Sequence, residues 1–80
     1  MWKTIIHQYG LRKIAGEIGT SFETVRRWHK GMIIPDGKNL RALVHLMWKS
    51  LPQNEFEAFL DSLATDVFGM DDLQEGGGNI

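Results

Sequence analysis

Apolar residues recur along residues 1–69 at intervals of three and four, the spacing that places them on one face of an α-helix. Five such stretches are separated by Gly10, by Gly19, by the segment 31–35 and by Pro52. Glycine and proline interrupt helices, so each of these breaks marks a boundary between helices. No stretch shows the sustained alternation of apolar and polar residues that is typical of a strand. The pattern predicts one all-α domain over residues 1–69, a compact bundle of five short helices.

The second and third predicted helices have the spacing of a tight helix pair. Ala15 is small, which allows the third helix to cross close to the second. Gly19 suits a turn in which the backbone adopts a positive φ. Val25 and Trp28 are apolar and fill the wedge between the two helices. These features predict a helix-turn-helix, a motif whose second helix lies in the major groove of DNA.

Capping residues and apolar stripes delimit the later helices. Ser21 is the predicted N-cap of the third helix, where its hydroxyl accepts a hydrogen bond from the backbone N–H of Glu23 or Thr24. Asp36 is the predicted N-cap of the fourth helix, and Gly31 is the predicted end of the third. The predicted core faces of the fourth and fifth helices comprise Leu40, Leu43, Val44, Met47 and Leu51, and then Phe56, Phe59, Leu60, Leu63, Ala64 and Val67. The three tryptophans, Trp2, Trp28 and Trp48, are also predicted to be core residues.

The formal net charge of −1 conceals a strong asymmetry along the chain. Residues 1–50 contain nine basic and three acidic residues, a formal charge of +6. Residues 51–80 contain seven acidic residues and no Lys or Arg, a formal charge of −7. Such asymmetry is typical of a protein in which one segment faces a polyanion and another segment does not. The basic part coincides with the predicted helix-turn-helix, so the charge pattern favours a nucleic-acid partner.

The segment from Ile14 to Pro35 resembles the helix-turn-helix of the phage-repressor and Cro-like DNA-binding proteins. The positions that follow the family pattern are Ala15, Gly19, Ser21, Thr24, Val25, Trp28, Gly31 and Pro35, continued in the fourth helix by Leu40, Leu43 and Leu46. The resemblance covers about residues 9–48 and implies a lambda-repressor-like DNA-binding domain. It also implies a sequence-specific transcriptional regulator of double-stranded DNA. The expected protein is a phage or bacterial repressor that binds an inverted-repeat operator as a dimer.

Three positions depart from the pattern of that family. Residues 10–11 are Gly-Leu where the family often has Thr-Gln, whose Gln helps to clamp a phosphate, so Arg12 or Lys13 is expected to take that part. Phe22 stands at a first reading position that is usually polar. His29 replaces the usual Glu after the tryptophan, which leaves the end of the reading helix more basic.

The exposed side of the third helix supplies the expected contacts with DNA. The expected base contacts are Phe22, Glu23, Arg26 and Arg27. A guanidinium can bond O6 and N7 of guanine together, which makes Arg26 the first candidate, while Arg27 shares that role or binds phosphate. Phe22 either touches a thymine methyl or packs at the border, and Glu23 either accepts from cytosine N4 or stabilises the helix dipole. The expected phosphate contacts, which set register without reading sequence, are Arg12, Lys13, Lys30, Lys38 and Asn39.

The fifth helix has an apolar stripe and an acidic back. One interpretation is that it closes the four-helix core, and the other is that it forms the interface of a homodimer. The expected interface residues are Phe56, Phe59, Leu60, Leu63 and Val67. The acidic part also leaves an alternative function open, that of a protein-interaction module. Such a module, antitoxin-like or antirepressor, would bind a protein partner through its C-terminal part.

Several classes of protein are excluded or disfavoured by composition. The sequence contains no cysteine, so it has neither a disulfide nor a thiolate metal site, and its three histidines lack metal-ligand spacing. No arrangement of Ser, His and Asp supports catalysis, so no enzyme, cofactor or small-molecule substrate is expected. No apolar run approaches the roughly 20 residues that span a bilayer, and no secretory signal is visible, which predicts a cytoplasmic protein. Residues 70–80 are acidic and glycine-rich, and are expected to be disordered.

Overall fold

The structure of the chain, a computed structural model, describes residues 1–69 and consists of five α-helices. In chain order these are α1 (Trp2–Tyr9), α2 (Leu11–Ile18), α3 (Phe22–His29), α4 (Gly37–Ser50) and α5 (Gln53–Phe68). No strand occurs in the described residues, which confirms the predicted all-α bundle. None of the five helices has the length and apolar character needed to cross a membrane. The expectation of disorder at 70–80 lies outside the described residues.

All five helices contribute to one hydrophobic core. The first helix, α1, packs on α2, α3 and α5, while α4 packs on α2 and α5. The buried residues are Trp2, Ile6, Ile14, Ala15, Val25, Trp28, Leu43, Leu46, Met47, Phe59 and Leu63. The prediction that Trp2 and Trp28 lie in the core is therefore confirmed. Helices of eight residues, such as α1, α2 and α3, are marginal alone in water, so this shared core holds them in place.

The prediction that Trp48 is a core residue is wrong. Its side chain is 61% exposed at the C-terminal part of α4. The neighbouring Met47 occupies the core, and Trp48 lies about 100° further around the helix, on the same side as the half-buried Val44. This side of α4 faces the space between α4 and α5, where Trp48 lines a surface groove.

Two glycines set the path of the chain into and out of α2. Gly10 adopts a φ of 117° and separates α1 from α2 without a longer loop. Gly19 adopts a left-handed φ of 76°, and the backbone N–H groups of Gly19 and Thr20 both donate to the carbonyl of Ala15 at 3.0 Å. Side chains other than glycine rarely adopt this conformation, so Gly19 permits the short connection to α3.

The predicted N-cap residues of α3 and α4 are confirmed, whereas the predicted end of α3 differs. The Ser21 hydroxyl accepts from the backbone N–H of Thr24 at 3.1 Å and caps α3 as predicted. Asp36 stands at the N-cap of α4, but its side chain makes no capping hydrogen bond. The third helix ends at His29, two residues before the predicted end at Gly31. The backbone continues to turn after the helix, since the N–H of Gly31 donates to a carbonyl of the last helical turn.

Candidate nucleic-acid interface

The third helix is divided into a buried side and an exposed side. Val25 is fully buried and Trp28 is 1% exposed, so both anchor α3 against the core. Glu23 and Arg27 are exposed, and Arg26 is half-buried. Of the four predicted base contacts, Glu23, Arg26 and Arg27 lie away from the core-facing side of the helix. Phe22 is half-buried at the border and packs against the core. The helix rests on α1 and α2 and leaves its charged side free of the rest of the bundle.

A carboxylate links the two arginines of this charged side. Arg26 donates to Glu23 through Nε at 2.9 Å and through Nη2 at 2.7 Å. Arg27 donates through Nε to Oε2 of the same Glu23 at 3.2 Å. Glu23 lies three and four residues before its partners, the spacing at which side chains meet on a helix surface. The two guanidinium groups are thus held together by one acidic residue.

This arrangement changes the titration of Glu23. The hydrogen bonds from Arg26, and then those from Arg27, lower the pKa of the Glu23 carboxyl from its usual 4.5 to about 2. The same contact raises the pKa of the Arg26 guanidinium. Because a third to a half of each of the three side chains is accessible to solvent, the ion pairs add little to the stability of the fold. Their main effect is to orient the arginines.

Arg12 extends the charged side from α3 onto α2. Its guanidinium carbon lies 4.1 Å from the centroid of the Phe22 ring, a cation–π contact. Arg12 is in the first turn of α2 and Phe22 is the first residue of α3, so the stack joins the beginnings of the two helices. One face of Phe22 is therefore covered by Arg12, and the predicted phosphate contact lies beside the predicted base contacts.

The remaining predicted phosphate contacts are placed in different ways. Lys30 is exposed and caps the C-terminal end of α3. Lys13 has its ammonium 4.7 Å from the centroid of the Tyr9 ring, which draws it towards α1. Lys38 is exposed and Asn39 is half-buried in the first turn of α4, a helix that packs on α2 and α5. The contacts of the structure join Arg12 to α3 but do not join Lys38 or Asn39 to it.

Two residues of α1 that the sequence analysis did not single out also reach the end of α3. The rings of His7 and His29 stack with centroids 4.8 Å apart and planes inclined by 18°. The Lys3 ammonium lies close to Gly31, since a Cβ atom at that glycine would be 3.1 Å from Nζ. Cations are favoured near the C-terminal end of a helix by its dipole. Lys3 and His7 are four residues apart and so share a face of α1, but their spacing does not reveal which helix that face meets.

The residues predicted to form a dimer interface fall into two groups. Phe59 is fully buried and Leu63 is 3% exposed, and both belong to the core of their own chain. They therefore leave almost no surface for a second chain, and they show that α5 closes the bundle. Phe56, Leu60 and Val67 are half-buried and keep part of their surface free. Only these three remain available to contact a partner.

Searches against protein-family models, curated proteins and solved structures found no match to this chain. The case for its function is therefore made by the surface of α2 and α3 itself. On α3, Arg26 and Arg27 surround Glu23, and Arg12 of α2 stacks on the adjoining Phe22, while the opposite sides of both helices are anchored in the core.

Proposed function

We propose that this protein is a sequence-specific double-stranded DNA-binding regulator of transcription. In this proposal α2 and α3 form a helix-turn-helix, and α3 enters the major groove, which at about 12 Å wide admits an α-helix. The observation that carries the proposal is the cluster of Arg26 and Arg27 around Glu23, with Arg12 stacked on the adjoining Phe22 and with Val25 and Trp28 buried behind the helix. Surfaces of this kind supply both phosphate contacts and base contacts.

The hydrogen bonds of Arg26 suggest how it would meet a base. A guanidinium has five N–H donors, and Glu23 accepts from the one on Nε and from one on Nη2. The other N–H donor on Nη2 and both N–H donors on Nη1 are not used by Glu23 and are available to a base. These are the donors that can bond O6 and N7 of a guanine together. Arg26 is accordingly assigned to guanine, with Glu23 holding it in place.

The other residues have roles that follow from their positions. Arg12 and Lys30 lie at the two ends of the reading surface and are assigned to phosphates on either side of the groove. Arg27 shares its carboxylate partner with Arg26 and is assigned to a base or to a neighbouring phosphate. The proposed regulator is a Cro-like repressor of a phage or a bacterium. It acts in the cytoplasm as a homodimer on an inverted repeat, where two reading helices are spaced about 34 Å apart.

The proposal is tested by fluorescence anisotropy of the full chain with labelled duplex DNA over a range of salt concentrations. The wild type is expected to bind, with an affinity that falls on a log–log plot by roughly 0.9 per phosphate neutralised. Reversal of charge at both arginines, Arg26→Glu with Arg27→Glu, is expected to abolish binding. Lys49→Glu, a single charge reversal at an exposed residue of α4, is the control for a charge change outside the proposed interface and is expected to bind almost as the wild type does.

Two results would contradict the proposal. The first is a wild-type protein that binds no duplex, or binds it with no dependence on salt. The second is a double-reversal variant that binds as well as the Lys49→Glu control. Either result would favour the alternative of a protein-interaction module that uses the acidic C-terminal part.

A further inference from the structure

A groove of about 720 Å³ runs between α4 and α5. Its apolar lining includes Val44 and Trp48 on one wall and Phe56, Leu60 and Phe68 on the other. Trp48 is 61% exposed and Phe68 is 62% exposed, although both are large and aromatic. An exposed apolar surface of this kind is typical of an interaction site.

The two walls of the groove carry opposite charges. Arg41 and His45 lie on the α4 wall, and Asp61 lies on the α5 wall. Both Arg41 and Asp61 are exposed, and within residues 1–69 neither forms a salt bridge with another described residue. A partner that fits this groove must present an acidic surface to α4 and a basic one to α5. The same groove of a second copy has such a surface, because its acidic α5 can face the basic α4 of the first copy and its basic α4 can face the acidic α5.

Arg41 and Asp61 are also matched in position. Arg41 lies nine residues before Ser50, the last residue of α4, and Asp61 lies eight residues after Gln53, the first residue of α5. At 1.5 Å per residue, both are about 12–14 Å of helix away from the connection between the two helices. A two-fold axis along the groove would place α4 of each copy over α5 of the other. The arginine of one chain would then lie at the same level as the aspartate of its partner, twice in the dimer.

We infer that the groove between α4 and α5 binds the same groove of a second copy of this chain. The dimer buries Trp48 and Phe68 of both copies and pairs each Arg41 with the partner's Asp61. Two residues of the sequence-predicted interface, Phe56 and Leu60, belong to it. The inference rests on the homodimer of the proposed function and names its surface and its charge pairing.

The groove and the proposed reading surface lie on different parts of the bundle. The third helix packs on α1 and α2, whereas the groove is formed by α4 and α5. A second copy in the groove therefore leaves Arg26 and Arg27 uncovered. The dimer and its complex with DNA are compatible.

The test is sedimentation equilibrium of the full chain without DNA. The wild type is expected to dimerise at micromolar concentration. Arg41→Asp and Asp61→Arg each place like charges together at both of the symmetry-related charge pairs, and each is expected to raise the dimer dissociation constant at least about tenfold. An equimolar mixture of the two variants is expected to form a heterodimer, because each variant then meets its opposite charge. The double variant, Arg41→Asp with Asp61→Arg, is expected to recover the homodimer.

The controls make equal charge changes on the same helices outside the groove. Lys49→Asp and Glu55→Arg are expected to leave dimerisation unchanged, and circular dichroism checks that every variant keeps its helices. A monomeric wild type, single variants that dimerise as the controls do, or a mixture that stays monomeric would overturn the inference. Anisotropy with a half-site duplex is measured in parallel. Loss of dimerisation with retained half-site binding would leave the DNA proposal intact, and dimerisation without DNA binding would contradict that proposal alone.

Discussion

Glu23 is the one acidic residue of α3 and offsets part of the charge of the proposed reading surface. Its pKa of about 2 lies below the usual 4.5, so it is ionised throughout the physiological range. The sign of the shift means that the ion pairs are present above about pH 4.5 and are lost only as the pH falls towards 2. In the free protein the carboxylate therefore always offsets one of the two guanidinium charges. In the proposed complex with DNA, it would limit indiscriminate attraction to phosphates and orient Arg26 towards a base.

Glu23→Gln is expected to strengthen binding to random-sequence duplex and to weaken discrimination. Removing the carboxylate frees Arg26 and Arg27 to approach phosphates, so affinity for random duplex should rise by roughly three- to fivefold. The salt dependence should become steeper by roughly 0.9 on the log–log plot for each phosphate gained. Anisotropy with a preferred and a random duplex measures both quantities. Glu55→Gln, the same charge change on α5, is the control, and equal behaviour of the two variants would contradict this role for Glu23.

Some contacts of single residues were open to prediction and others were not. The i, i+3 and i, i+4 spacing from Glu23 to the arginines is visible in the sequence. We nevertheless expected Glu23 to contact a base or to stabilise the helix dipole, and not to pair with the arginines. The stack of Arg12 on Phe22 joins residues of two helices and depends on how those helices cross. Periodicity within a helix contains no information on that crossing. The same limit applies to the contact between His7 and His29.

At the scale of elements, the connection from α2 to α3 is set by backbone conformation more than by packing. Gly19 adopts a φ of 76°, yet a Cβ atom there would meet no atom within 4 Å. Gly16 lies inside α2 with ordinary helical geometry, and a Cβ atom there would also meet nothing within 4 Å. Because an added Cβ atom has room at both glycines, a comparison of the two isolates the effect of backbone conformation from that of steric clash.

Alanine at the two glycines is expected to change stability in opposite directions. Gly19→Ala should lower the free energy of unfolding by about 1 kcal/mol, because a residue with a Cβ atom is strained in the left-handed region. Gly16→Ala should raise it by about 0.5–1 kcal/mol, because alanine favours the helix and glycine does not. Urea unfolding followed by circular dichroism measures both. Changes of the same sign in the two variants would contradict the account of this connection.

The number, type and order of the helices could be predicted from apolar spacing. Which apolar side chains of each helix are buried in the core could be predicted only in part. Periodicity places Trp48 near the apolar side of α4, and only the packing of α5 shows that it lies outside the core. Periodicity also places Phe56, Phe59, Leu60 and Leu63 on one apolar stripe of α5. In the structure Phe59 and Leu63 are buried in the core, whereas Phe56 and Leu60 are half-buried and line the groove. An apolar stripe identifies the apolar side of a helix. It does not indicate how much of that side the other helices of the same chain bury.

At the scale of the whole molecule, charge is segregated by element. Four exposed acidic residues, Glu55, Glu57, Asp61 and Asp66, lie on α5, which has no Lys or Arg, and the arginines of the proposed reading surface lie on α2 and α3. Repulsion between α5 and the phosphates would turn α3 towards DNA, so the near-neutral total charge is compatible with oriented binding. It also predicts that binding to DNA without the preferred sequence is weak.

The most direct test of the proposed function is selection of bound sequences from a pool of random duplex DNA. The account predicts that the wild type enriches one sequence with inverted-repeat symmetry. It also predicts that Arg26→Ala loses the preference for guanine at one position in each half of the repeat, while Lys49→Ala enriches the wild-type sequence. Failure of the wild type to enrich any sequence, or enrichment of the same sequence by Arg26→Ala, would contradict the assignment of α3 as the helix that reads DNA.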